Sequence, residues 1–326
     1  MITRRTILVG SVAGLLAAPL FPLAQQQTKL RRIGLMHIGL EHVPPSLDGL
    51  REGLKELGYV EGSNIQLDFR NHANREAALE TAREFARDRV DLVVAFERQS
   101  IHAAHAVITT IPLVMLHISN PDLEGLIKSL SHPGGNMTGF AGVGEVPGKE
   151  LELFKELYPR LARLLVFFNP AEGSSARWMK ELRAAASTLK LQLLEREATD
   201  EKAIELVFRN LKPGAVDGFV YGSPALRHDH QALFVDLSRK YRIPMLGHRE
   251  EWVERGALFS YNVNLRAVGR AAAGRYVDRI LKGTKPADLP VEEISQFDLV
   301  INRKIADGYG IKIPNSILVR ANKVIE

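Results

Sequence analysis

From Arg31 onward, short apolar runs alternate with longer stretches in which apolar residues recur every three or four positions. Ile33 to Ile38 is the first run and suits a buried strand. After Pro44-Pro45-Ser46, the residues Leu47, Leu50, Leu54 and Leu57 fall on one face of an amphipathic helix that Gly58 stops. Ile65 to Phe69 alternates as a strand does. A helix from about Arg75 to Arg89, a strand Leu92 to Phe96, a helix from Ser100 to Ile108 and a strand Leu113 to His117 follow. Strands and helices in strict alternation predict a parallel sheet with right-handed crossovers.

The pattern then starts again. Helix Lys149 to Leu157 leads to strand Leu164 to Phe168, helix Ser175 to Leu189, strand Gln192 to Arg196, helix Glu201 to Leu211, strand Gly218 to Tyr221, helix His230 to Tyr241 and strand Met245 to Gly247. Val90-Asp91 before one strand and Ile111-Pro112 before the next are matched by Val216-Asp217 and Ile243-Pro244. The expected fold is therefore α/β, with two similar doubly wound parallel-sheet lobes. A glycine-rich stretch from Gly134 to Gly148 is the expected link between them. Beyond Asn262 there is one more helix, Leu265 to Leu281, then strand-like Val291 to Ile294 and Phe297 to Ile301. So short a remainder is expected to return to the existing sheets. The first lobe would comprise residues 31–140 plus about 263–294 and the second 141–262 plus about 295–326, joined by a hinge that the chain crosses several times.

The first residues carry a different signal. Arg4-Arg5 precedes the apolar stretch Ile7 to Ala18, about 12 residues long where a membrane span needs roughly 20. This is the pattern of a secretory signal of the twin-arginine type, residues 1–24, cleaved near Ala24. Its removal lowers the net charge from +5 to +3, so much of the basicity of the 326-residue chain belongs to that segment. A surplus so small and scattered argues against nucleic-acid binding. The chain has no cysteine, which excludes disulfides, thiolate metal sites, a cysteine nucleophile and a lipid-anchored cysteine. A free, monomeric protein of the periplasm is expected.

In open α/β sheets ligands bind beyond the carboxyl ends of the strands, where helix N-termini present free N–H groups. Here those segments are His37 to Ser46, Glu97 to Ser100, His117 to Asp122, Asn169 to Ser175, Tyr221 to Ser223 and Gly247 to Glu250. All are polar, and Ser100, Asn120 and Ser174 also suit helix N-caps. No catalytic motif competes with them. Tyr221-Gly222-Ser223-Pro224 is not a nucleophile elbow, and Gly139 to Gly144 lacks the dinucleotide spacing. The histidine pairs His102/His105 and His228/His230 have no accompanying carboxylate cluster, so neither a metal nor another cofactor is expected.

Three segments carry a resemblance. They are Leu54-Lys55-Glu56-Leu57-Gly58-Tyr59-Val60-Glu61-Gly62-Ser63-Asn64-Ile65, Ser131-His132-Pro133-Gly134-Gly135-Asn136-Met137-Thr138-Gly139, and Ile280 to Val291 with its Lys282-Gly283-Thr284-Lys285-Pro286 core. With the closing Ile313 to Ala321, they resemble the tryptophan-binding-protein-like family of ABC-transporter substrate-binding proteins. The resemblance implies a type I periplasmic binding fold, no catalysis, a small organic ligand (an amino acid, aromatic acid or related carboxylate), and delivery to an ABC permease with its ATPase. The membrane would be met only through that permease. Under this reading Ser46, Phe96, Arg98, Gln99, Ser100, His117, Ser119 and Asn120 grip the ligand from the first lobe, and Asn169, Ser174, Tyr221, Ser223, Arg249 and Tyr261 close on it from the second. Asn169-Pro170 and Tyr261 match the family pattern. Glu97 departs from the small residues usual in its loop and would repel a ligand carboxylate, whereas Arg98 is expected to bind one bidentately. Two rival readings share the fold: an exported hydrolase or isomerase, and a module that reports a bound ligand to a membrane receptor.

Overall fold

The computed structural model describes residues 30–39, 44–142, 146–222, 226 and 230–326, with the backbone alone at residues 173 and 174. The expected export signal, Ser223 and His228 lie outside the described residues, as does the side chain of Ser174. In chain order the first half contains β1 (Arg31–Ile38), α1 (Pro45–Glu56), β2 (Ile65–His72), α2 (Arg75–Arg87), β3 (Leu92–Ala95), α3 (Arg98–Val107), β4 (Leu113–Ile118) and β5 (Met137–Ala141). The second contains α4 (Pro147–Leu157), β6 (Arg163–Phe168), α5 (Gly173–Thr188), β7 (Gln192–Glu197), α6 (Glu201–Asn210), β8 (Gly218–Tyr221), α7 (Gln231–Tyr241), β9 (Leu246–Gly247), α8 (Glu250–Arg255) and β10 (Phe259–Val263). The remainder supplies α9 (Leu265–Ala272), a π-helical turn Ala273–Val277, α10 (Asp278–Leu281), β11 (Glu292–Glu293), β12 (Phe297–Asn302), α11 (Arg303–Gly308), α12 (Asn315–Arg320) and β13 (Lys323–Ile325).

The first sheet has the order β11-β5-β4-β3-β1-β2, with every neighbouring pair parallel. In the second half β7-β6-β8 is joined to β9-β10-β12-β13 by a parallel bridge between Phe219 and Met245. Counted within each half, both sheets run second, first, third, fourth, fifth. The repeat seen in the sequence is thus a repeat of topology, and each half has a switch point between its first and third strands, where a crevice forms. Only the β10–β12 pair is antiparallel among these second-half pairings.

Burial on both faces explains the continuous apolar runs. Ile33 and Leu35 of β1 pack with Leu47, Leu50 and Leu54 of α1 and Val268 of α9. The alternate residue Met36 packs on the other face with Ala78, Ala82 and Phe85 of α2 and Ile101 of α3. Leu47, Leu50 and Leu54 are at most 2% exposed, and each stabilises the docked helix by roughly 1.5–3 kcal/mol. The second half repeats this: Leu164 and Val166 face α4 and α5, while Leu165 and Phe167 face α6 and α7.

Three strands depart from the sequence reading, the last being β13, which pairs in parallel with β12. The glycine-rich stretch expected as a link contains β5, whose Gly139 has φ 139° and lies so close to β4 that a Cβ would sit 1.9 Å from the Met115 carbonyl oxygen. That glycine serves close backbone approach inside a sheet, and the link starts after Ala141. β10 was also not predicted; it adds the fifth position of the second sheet. The helix expected from Leu265 to Leu281 is continuous except for its π-helical turn.

The chain leaves the first sheet after β5, returns after β10 and leaves again after β11. These passages are tied together. The Asn264 N–H donates to the Gln296 carbonyl at 3.0 Å, the Ile294 N–H donates to the Ala141 carbonyl at 2.8 Å, and Tyr261 stacks on Phe297 with ring centroids 5.1 Å apart.

Candidate ligand-binding cleft

A cavity of about 480 Å³ lies where the two halves meet. The segment following β4 forms one wall through Ser119, Asn120, Pro121, Asp122 and Leu123. Arg177, Trp178 and Glu181 on α5 form the opposite wall, and Ala141, Gly142, Pro147 and Glu293 close the hinge side. Apolar and polar groups are mixed, which suits a small molecule with an apolar body and polar ends. Among the described residues of the lining, Arg177 is the only cation, and it has no ion-pair partner among them. Trp178 is held in place from behind: a Cβ on Gly222 would lie 2.1 Å from its Cε3.

The wall after β4 is anchored to α3. Glu124 accepts from Arg98 Nε at 3.1 Å and forms an ion pair with the same guanidinium at 2.9 Å, and its other contact is His102 Nε2 at 2.5 Å. Burial pulls the Glu124 carboxyl up, but the hydrogen bonds and charges of Arg98 and His102 outweigh it and hold the group below the usual glutamate range. Arg98, expected to grip a ligand carboxylate, spends its guanidinium on Glu124, and Asn120 adopts φ 49° in the anchored segment.

At the switch point of the first sheet, the N-terminus of α3 is closed by the chain itself. Glu97, rather than Ser100, is the N-cap: its carboxylate accepts from the Gln99 N–H at 2.6 Å and the Ser100 N–H at 2.8 Å. Ser100 is fully buried, and its hydroxyl donates to the Glu97 carbonyl at 2.9 Å. Next to it, His37 at the end of β1 is 5% exposed and contacts Asn71 through Nδ1 at 3.3 Å. Burial pushes the pKa of His37 down, against the opposing pull of the Glu97 charge and the Asn71 contact.

The remaining expected residues divide by position. Ser119 and Asn120 line the cavity. Gln99 is exposed on the first turn of α3, and His117 is half-buried near the end of β4. Ser46 is buried in the first turn of α1, with its carbonyl against Gly269 of α9. Phe96 belongs to the core, edge-on to Phe69 at 6.3 Å. Tyr221 is 7% exposed and sandwiched between Phe234 and Trp252 at 5.2 and 4.9 Å, so its ring is a structural layer behind the crevice. Asn169 folds back on its own loop, accepting from the Ala171 N–H at 3.0 Å. Arg249 is the half-buried N-cap residue of α8, and Tyr261 sits in the hinge stack. Sequence reasoning missed Arg177, Trp178 and Glu181. The segment expected from the sequence, Asn169 to Ser175, ends in the first turn of α5, whereas Arg177, Trp178 and Glu181 further along that helix line the cavity; a tryptophan just inside the helix was the available signal.

Two similar parallel-sheet lobes with a switch-point crevice and a hinge of three passages define the class of two-lobed binding folds. A family model described as "ABC transporter substrate binding protein" matches residues 39–325, and the chain belongs to that family. It is 28% identical over 279 residues, 84% of this chain and 79% of the relative, to a tyrosine-binding protein of Clostridioides difficile (strain R20291). Among solved structures it is similar to the ligand-free, open form of a substrate-binding protein with adhesive properties from Clostridium difficile, at 26% identity and TM-score 0.77, covering 91% of this chain and 99% of that one. It is also similar to an ABC domain in complex with L-Trp from Streptococcus pneumonia, at 26% identity and TM-score 0.72, covering 91% and 100%. The fold is thus that of type I periplasmic binding proteins, as the sequence led one to expect.

Proposed function

We propose that this chain is the exported receptor of an ABC uptake transporter, which traps a small organic ligand between its lobes and presents the closed form to a permease with its ATPase. The observation that carries this reading is the cavity shared by Ser119 and Asn120 from one lobe and Arg177 and Trp178 from the other. A site built from both lobes is completed only when they approach, so ligand and closure stabilise each other. The ligand class is an amino acid, aromatic acid or related carboxylate: Arg177 offers a charge for an acidic end, and Trp178, 6% exposed and packed into the core of the second half, backs the wall beside it. In this reading residues 31–140 and about 263–294 form one lobe, 141–262 and about 295–326 the other, and residues 1–24 are an export signal that leaves a free periplasmic monomer. Binding and release are its whole task, without catalysis. Among the described residues no helix is long and apolar enough to cross a membrane.

The test is a ligand-dependent rise in melting temperature across the amino acids, aromatic acids and nucleosides, followed by calorimetry on any positive. Saturation at 100 times Kd stabilises by about 2.7 kcal/mol. No shift with any member of the panel would remove the main support for a binding protein.

A further inference from the structure

β2 forms one edge of the first sheet, at the opposite end from β5 and β11, where the chain passes between the lobes. Among the described residues no strand pairs with its outer side. The carbonyls of Asn64 and His72 accept from the N–H groups of Arg31 and Gly39 at 3.0 and 2.9 Å, so the even-numbered residues of β2 turn their backbone groups toward β1. The odd-numbered ones, Leu67 and Phe69 among them, turn theirs outward. Ile65, at the start of the strand, already gives its carbonyl to the Gly62 N–H at 2.8 Å. An open edge of this kind is a template for another strand. Asp68 and Arg70 stand together on one face of β2, Oδ1 to Nε 2.6 Å, with their side chains 33% and 48% exposed. Leu67 and Phe69 lie half-buried on the other face.

We infer that the outer edge of β2 is a docking surface for the same edge of a second copy of this chain, the two strands running antiparallel about a two-fold axis at Phe69. In that register Phe69 meets its own counterpart in a hydrogen-bonded pair, and Leu67 lies opposite Asn71. Asp68 of each copy lies opposite Arg70 of the other, in the non-hydrogen-bonded pairs whose side chains come closest. Charges of one sign on an edge bar a second copy; these two are self-complementary. Moving the axis one residue either way sets Asp68 against Asp68 or Arg70 against Arg70, so the charges select a single register. The pairing spans residues 66–72 and spares the occupied Ile65 carbonyl. It joins two sheets into one through an isologous interface. A single strand pair is a small interface, so the pairing is reversible and the monomer remains the unit that traps ligand. Since β2 lies at the edge away from the hinge, each copy can open and close while paired.

The test needs no ligand, so it stands or fails apart from the receptor reading. Sedimentation of the full mature chain from about 10 µM to about 1 mM should show the average mass rising toward that of a dimer. Hydrogen exchange of the Leu67 and Phe69 amides should slow over the same range. Asp68→Arg and Arg70→Asp each set like charges opposite one another beside the axis, and each should weaken pairing about tenfold. Mixed together, the two variants face arginines with aspartates again, although each chain still lacks its internal ion pair. The mixture should therefore associate about as well as the unaltered protein. A loss of pairing caused by damage within the strand would not be repaired by mixing. Both side chains reach solvent, and circular dichroism checks that each variant keeps its fold. An unaltered chain that stays monomeric at about 1 mM, association that neither reversal weakens, or a mixture no better than its separate components overturns the inference.

Discussion

Gly222 lies directly behind Trp178, at a distance where a methyl group would overlap the six-membered ring at 2.1 to 2.8 Å. The contact is made from the strand end after β8 to the second turn of α5, so the position of one cleft-lining aromatic depends on the absence of a side chain on another element. Gly222→Ala should push Trp178 toward the cavity or off its rotamer. We expect a loss of stability of about 1–3 kcal/mol in urea unfolding, together with a change in Trp fluorescence and weaker ligand binding. A variant with unchanged fluorescence and affinity would show that the ring accommodates the methyl group freely.

Arg177 is the cation of the cavity lining, facing a surround that includes Asp122, Glu181 and Glu293. Charge-assisted hydrogen bonds to a carboxylate are among the stronger polar contacts. Arg177→Ala should therefore lower the affinity for a carboxylate ligand by about 1.5–3 kcal/mol, while Arg177→Lys recovers part of it. Since the side chain is exposed and without an ion pair among the described residues, the melting temperature of the ligand-free protein should move little. Calorimetry and a thermal scan of the same samples separate the two effects.

The Glu124 latch has a defined dependence on pH. Its folded pKa lies below that of an ordinary glutamate, so its contribution is complete above the ordinary range and is lost as the pH falls through that range to the folded value. Glu124→Gln should loosen the Ser119–Leu123 wall at neutral pH, seen as faster hydrogen exchange of residues 119–126. The same substitution should have little further effect at a pH where the native carboxyl is protonated.

Three histidines act at higher pH. His37, His72 and His105 each have a pKa lowered from 6.5, with burial the first cause in every case. The unfolded chain takes up these protons first, so the stability they support is present above pH 6.5 and is lost as the pH falls below it. The melting temperature should decline from pH 7 toward pH 5, and His37→Asn should make that slope shallower. An unchanged slope would assign the decline to the other two.

Gly269 on α9 and Gly49 on α1 let these helices touch through their backbones. A Cβ on Gly269 would lie 1.9 Å from the Ser46 carbonyl oxygen, and one on Gly49 would lie 1.9 Å from that of Arg266. Neither obstacle is a flexible side-chain end. Gly269→Ala should cost about 1–3 kcal/mol or more and displace the first turn of α1, which borders the crevice. Chemical unfolding and ligand affinity should both report it.

The order of strands and helices was legible in the sequence because each local pattern is decided locally: apolar runs bounded by turns for strands buried on both faces, and a 3.6-residue period for the helices. The repeated Val-Asp and Ile-Pro marks carried the two-lobe reading, and both sheets do share one strand order. β5 was hidden because Gly139 in the middle of Met-Thr-Gly-Phe-Ala looks like a turn, and only the approach of Met115 gives the glycine its reason. The segments at strand carboxyl ends could be named in advance, since topology places them there. Which side chains face the crevice could not, because that depends on partners far away in the chain. Arg98 turns to Glu124, Tyr221 is stacked between Phe234 and Trp252, and Trp178 is aimed by Gly222. Composition and pattern by themselves determined a two-lobed α/β chain with its polar loops at one edge of each sheet. Only tertiary packing decided which of those polar groups are consumed within the protein and which face the cavity, because a hydrogen bond or a ring contact between distant residues leaves no periodic trace in the sequence.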